Sequence, residues 1–208
     1  MSEDDARTRI LNVAGPIFAE KGFQATTIRE ICGQANVNVA AVNYHFGDKE
    51  HLYTEAVKRA HQPSGQPDEL LEWPPGTTPE TKLRDQIKAM LTRMLSERTP
   101  WQRQLMNREM LEPTFACREL VEAHIRDRFG QLLDILGEIL PADVPAYRCH
   151  QVAFSIVGQA LHYHVASHVV TVLVGEEERE AHYQIDQLVD HITQFSLAAM
   201  GLASPLAP

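Results

Sequence analysis

Apolar positions recur at spacings of three and four along most of the chain, the mark of helices that bury one face. Ile10, Val13, Ile17 and Phe18 form the first such stripe, which stays in phase across Gly15-Pro16. An interior proline removes a hydrogen bond and costs about 3 kcal/mol. The pattern therefore predicts one first helix kinked at Pro16, not two helices. Ile28, Ile31 and Cys32 mark a short second helix, and Thr27 with Glu30 has capping-box spacing. It should end near Ala35, where Asn36 tolerates a left-handed turn. Asn38 can cap a third helix whose Val42 and Phe46 face inward. Gly47 closes that helix, and Asp48 caps a fourth from Lys49 to about Gln62.

Between His61 and Pro79 the periodicity lapses, with five prolines and two glycines in the stretch. Residues 63–78 are read as a linker, with Leu70, Leu71 and Trp73 as anchors on the following body. Helical patterning then resumes. It predicts helices from Pro79 to about Arg98, from Pro100 to before Pro113, and from about Phe115 to Leu140. Beyond Pro141 and Pro145, a strongly apolar helix is expected over Val152–Val174. A last helix over about Glu177–Met200 carries Ile185, Leu188, Ile192, Phe195 and Ala199 in a coiled-coil-like seam.

The segment Thr26–Lys49 is the most specific part of the chain. Two short helices joined by a tight turn, the second bearing small and amide side chains and then Tyr44-His45, have the layout of a helix-turn-helix. The pieces FAEKGF (Phe18–Phe23), TTIREI (Thr26–Ile31) and NYHFGDKEHLY (Asn43–Tyr53) resemble the TetR family of one-component transcriptional regulators. The C-terminal half resembles the CecR-type branch in its general pattern. The resemblance implies an all-α homodimer. Its N-terminal three-helix DNA-binding domain would span 1–62, and a ligand-binding and dimerisation domain would span 63–208. Carried over by position, it assigns phosphate contacts to Tyr44, His45 and Lys49, helped by Thr26 and Thr27 at a helix N-terminus. Asn38, Ala40, Ala41 and Asn43 would read base edges, Asn43 through an adenine and the alanines through a thymine methyl. Val39 stands on this helix where a basic residue is frequent in the family, Ala40 where glycine is, and Asn43 where an aromatic is. Family base preferences therefore do not transfer to this chain.

Charge permits this reading without favouring it. The chain has a net charge of −9, but residues 1–60 hold seven Lys/Arg against eight Asp/Glu, a net of −1. Residues 61–208 hold twelve against twenty, a net of −8, so the acidic bulk should point away from DNA. No run of eighteen apolar residues occurs and the N-terminus is polar, so neither a signal peptide nor a membrane span is expected, and the location is taken as cytoplasmic. Cys32, Cys117 and Cys149 lie far apart and read as buried thiols, with redox sensing by Cys117 or Cys149 as the alternative. No phosphate-cradling glycine loop, nucleophile elbow or HExxH motif points to an enzyme or a cofactor.

The expected effector is an apolar or amphipathic small molecule. Met90, Met94, Met106, Met110, Trp101, Phe115, Phe154 and Tyr163 could line an adaptable cavity, with Arg108 and its neighbour Glu109 orienting a polar group or forming an ion pair. The dimer interface is expected to use the last helices through Gly158, His162, Ile185, Leu188, Ile192, Phe195 and Ala199 in a two-fold four-helix arrangement. His162, His164 and His168 are the rival constellation. His164 and His168 are four apart, as metal ligands on one helical face are, and a metal-responsive regulator or, more remotely, a metal-dependent hydrolase would need them.

Overall fold

A computed structural model describes residues 3–62, 69–96 and 98–202. Residues 63–68, the first part of the expected linker, lie outside that range. All regular secondary structure among the described residues is helical, with no strand: α1 Glu3–Ala25, α2 Ile28–Ala35, α3 Val39–Phe46, α4 Lys49–His61, α5 Pro79–Leu95, α6 Pro100–Leu111 and α7 Phe115–Leu120. A π-helical turn, Val121–Ile125, leads into α8 Arg126–Ile139. There follow α9 Ala146–Val165, α10 Ser167–Val174, α11 Glu176–His182 and α12 Ile185–Ala199.

The chain forms two compact units, and neither is continuous in sequence. The first unites residues 1–68 with 97–125, and the second unites 69–96 with 126–208. The division expected at residue 62 follows chain order, whereas packing places α6 and α7 with α1–α4. In the first unit Ile10, Ala14 and Phe18 of α1, Leu52 and Tyr53 of α4 and Leu105 of α6 are fully buried in one core. In the second, Leu83, Ile87 and Leu91 of α5 meet Leu136 of α8, Ile156 of α9 and Ile192 of α12.

Several elements differ from expectation. The first helix runs through Pro16, and its non-helical dihedrals fall at Gly22 (φ 76, ψ 172) instead. Only glycine adopts that conformation without strain. Gly15 has a different reason to be glycine: a Cβ there would lie 2.6 Å from the Trp101 ring. The helix expected over Val152–Val174 starts earlier and breaks at Ala166 (φ −96, ψ 17). The expected last helix is two helices, separated near Tyr183. The expected helix from Phe115 to Leu140 is interrupted by the π-helical turn, where the chain passes from one compact unit to the other. Within the second unit the Leu71 backbone is clamped by Gln131, whose amide accepts from the Leu71 N–H at 3.2 Å and donates to its carbonyl at 2.7 Å. Trp73 packs on the core and donates from Nε1 to Asp85 at 3.1 Å.

Candidate nucleic-acid interface

Local caps fix the two short helices. Thr27 Oγ1 accepts from the Glu30 amide at 3.2 Å, which is one half of the expected capping box. The other half is replaced, because the Glu30 carboxylate takes Lys21 Nζ instead. Asn36 is left-handed (φ 51, ψ 52) and ends α2, while Asn38 Oδ1 accepts from the Ala41 amide at 2.8 Å and starts α3. Asp48 Oδ1 accepts from the His51 amide at 2.8 Å and starts α4, and the His51 ring lies 2.9 Å from the same oxygen. That contact holds the Asp48 carboxyl below its ordinary range and raises the His51 imidazole, the first through the His51 amide and the second through the carboxylate.

With Val42 and Phe46 buried, α3 turns Val39, Ala40, Asn43 and Tyr44 outward, Tyr44 at 72% exposure. Ala41 is half-buried. His45 is half-buried too, with its ring 5.0 Å from Tyr44 and 6.3 Å from Phe46. Asn38 is exposed but spends its side-chain oxygen on the cap, which leaves its amide N–H groups for an outside partner. Thr27 is exposed, and Arg29 beside it is an exposed cation that the sequence reading passed over.

Two expected phosphate contacts are placed differently. Thr26 is 1% exposed and its hydroxyl donates to the Gly22 carbonyl at 2.8 Å, so the side chain cannot meet a phosphate. It is a joint instead, because its own carbonyl accepts from Lys49 Nζ at 2.8 Å. Lys49 is half-buried and lies 4.3 Å over the Phe23 ring, so any phosphate must compete with these internal partners.

The residues proposed for an effector cavity are divided between the two compact units. Trp101, Met106, Arg108, Met110 and Phe115 belong to the first unit, and Met90, Met94, Phe154 and Tyr163 to the second. Met106 and Trp101 pack into the first core and Met90 and Met94 against the second, while Met110 is exposed. Phe154 lies 62% exposed, stacked on Phe129 at 4.9 Å. Tyr163 lines a small recess with Tyr183. Arg108 and Phe115 do share a cleft of about 520 Å³ with Lys21, Phe23, Tyr53 and Glu112. Glu109 forms no ion pair with Arg108; it is 3% exposed and accepts from Tyr53 Oη at 2.9 Å and from the Thr114 amide at 2.7 Å. That contact and burial push the Tyr53 phenol well above its ordinary value, burial being the larger cause.

The expected dimer seam also divides. Leu188 and Ile192 are buried in the core of their own unit and cannot face a partner, and Ile185 packs partly against the same core. Gly158, His162, Phe195 and Ala199 stay exposed. The turn at Ala166 places His164 at the end of α9 and His168 in α10. Among the described residues no group of three or more His, Cys, Asp or Glu side chains could hold a metal ion. Nor is any described helix long and apolar enough to cross a membrane.

Comparison with known proteins decides the family. Residues 10–56 match the family model of bacterial regulatory proteins of the TetR family, and residues 79–200 match that of the C-terminal domain of the HTH-type transcriptional dual regulator CecR. The chain belongs to the TetR family. Its members are transcriptional regulators, not enzymes, and they bind DNA and small-molecule effectors. This TetR-family chain is 25% identical over 215 residues to the HTH-type transcriptional dual regulator CecR of Shigella flexneri, covering 93% of the chain and 96% of that protein. In structure it is similar to HlyIIR, a hemolysin II transcriptional regulator, with a TM-score of 0.59 and 21% identity over 92% of this chain and 99% of that one. It is also similar to FadR of Bacillus subtilis in complex with stearoyl-CoA, with a TM-score of 0.57 and 16% identity over 96% and 99% of the two chains. The CecR-type match at 79–200 spans α6 and α7, the helices that pack with α1–α4, the head of the chain.

Proposed function

We propose that this TetR-family regulator acts as a homodimer on a palindromic operator, most simply as a repressor released by a small apolar or amphipathic effector. Residues 1–62 would carry DNA binding, and 63–208 would carry sensing and dimerisation. The observation that carries the reading is the two-sided character of α3. Val42 and Phe46 anchor it while Ala40, Asn43 and Tyr44 stand outward. In a major groove Asn43 would pair bidentately with an adenine edge, and Tyr44, His45, Lys49 and Thr27 would hold phosphates.

Dimerisation is supported by the apolar surface that the second unit leaves open, where Phe154 and Gly158 of α9 and Phe195 and Ala199 of α12 are exposed. A two-fold axis there would set the α3 helices about 34–36 Å apart, or a multiple of this, to meet successive major grooves. The effector would act by preferring the dimer whose heads no longer fit that spacing. The Shigella relative is named a dual regulator, so the effector's sign is tested along with its effect.

The test is selection of bound duplexes from a random pool, repeated with two variants. Asn43→Ala should lose discrimination at one position per half-site, at a cost of about 1–3 kcal/mol. Lys49→Ala should weaken all duplexes alike and lower the salt slope by about one. Unchanged discrimination in Asn43→Ala removes that residue as a base reader.

A further inference from the structure

We propose that the effector is a monoanionic aromatic carboxylate, bound in the cleft of the first compact unit with its carboxylate on Arg108 and its ring against Phe23 and Phe115. The inference rests on the regulatory reading above and names the ligand class for it, with the effector held by residues of both regions, Phe23 and Tyr53 from 1–62 and Arg108 and Phe115 from 63–208. At about 520 Å³ the cleft has the size of a small-molecule site.

Arg108 sets the charge. Its guanidinium donates once, from Nη2 to the Glu20 carbonyl at a long 3.3 Å, and its Nε is sealed from water with no acceptor. Among the described residues no carboxylate lies within ion-pair distance of it. The half-buried Arg108 fork thus has donors to spare on the cleft side, and a carboxylate is the acceptor that matches its planar geometry best. The nearby charges are already committed or badly placed. Lys21 is neutralised by Glu30. Glu109 does not line the cleft, and its carboxylate accepts from Tyr53 and Thr114. Glu50 and Glu112 line the cleft and are exposed, so they repel a second negative charge and select a monoanion over a phosphate monoester.

The ring side follows from the aromatics. Phe23 and Phe115 meet edge to face at 5.0 Å, and Tyr53 lies 5.8 Å from Phe115. Phe115 remains 39% exposed, a large apolar face left open in the cleft. Gly22 leaves room for the guanidinium, since a Cβ there would sit 3.0 Å from Arg108 Nη1.

The same residues reach the DNA-facing segment by a short route. Gly22 accepts from Thr26, Thr26 accepts from Lys49, and Lys49 lies over the ring of Phe23. A ligand that presses on Phe23 or draws Arg108 from its place beside Gly22 changes where Lys49 is held.

The experiment titrates the full chain with 3-phenylpropionate by calorimetry and measures its effect on the selected duplex. Wild type should bind the probe. Arg108→Met should bind it about tenfold or more weakly, and Glu112→Gln, which removes a like charge, two- to fivefold more tightly. The uncharged 3-phenylpropanol and the ringless hexanoate should both bind more weakly than the probe. Equal affinity in Arg108→Met, or no gain in Glu112→Gln, overturns the proposal. If Arg108→Met melts early, Glu112→Gln and the two analogues decide it. A wild-type chain that selects a duplex but ignores 3-phenylpropionate sinks the ligand assignment alone, whereas a chain that selects no duplex sinks the regulatory reading.

Discussion

Thr26 and Gly15 show how a residue's role depends on what folds against it. Thr26 belongs to a motif that resemblance assigns to phosphate contact, yet its hydroxyl turns inward to the Gly22 carbonyl and its carbonyl holds Lys49. Thr27, its neighbour, stays exposed. Nothing in the pair Thr-Thr distinguishes the two, because what sets them apart is the Gly22 carbonyl, an acceptor one turn back beside the helix break. Gly15 reads in sequence as half of a helix-weakening Gly-Pro pair; in the fold it is the seat of Trp101. Gly15→Ala is expected to destabilise the protein by about 1–3 kcal/mol through overpacking, read as a lowered urea midpoint. The loss should shrink when Trp101 is replaced by leucine, and an unaltered midpoint in Gly15→Ala would show that the ring yields freely.

Helix starts and stops in the head were legible because they are chemistry between near neighbours. Asn36, Asn38, Gly47 and Asp48 each act within three or four residues of their own position. The helices of the second half were over-extended. An apolar run carries no sign of the break at Ala166 or of the π-helical turn at Val121–Ile125, which depend on packing that the run does not encode. The α4 cap gives a pH prediction. His51, raised above its ordinary 6.5, contributes fully below that value and loses its contribution as pH rises through its folded pKa. Asp48, lowered below its ordinary 3.8, contributes fully above that value and loses it as pH falls through its folded pKa. Amide protection in the first turn of α4 should therefore be greatest between about pH 4 and 6.5. NMR titration should place the His51 imidazole above 6.5, and the rise should vanish in Asp48→Asn; an unshifted His51 would remove the contact from solution.

For the whole molecule, the outward face of α9 and α12 is where the proposed dimer is tested. Phe154→Glu and Gly158→Arg change only exposed positions, so the subunit should stay folded while sedimentation shows monomer and binding to a palindromic duplex falls at least tenfold. Dimers that persist in both variants would place the interface elsewhere. Sequence alone determined the helical class and the order and caps of the first four helices, since each follows from spacing and local bonding along the chain, and its motifs carried the resemblance to the family. Tertiary structure alone decided that α6 and α7 pack with the head, that Leu188 and Ile192 serve their own core, and that Arg108 lies at a cleft with Phe23 and Phe115. The physical reason is that an apolar residue states only that it will be buried; which surface buries it depends on residues far away in the chain.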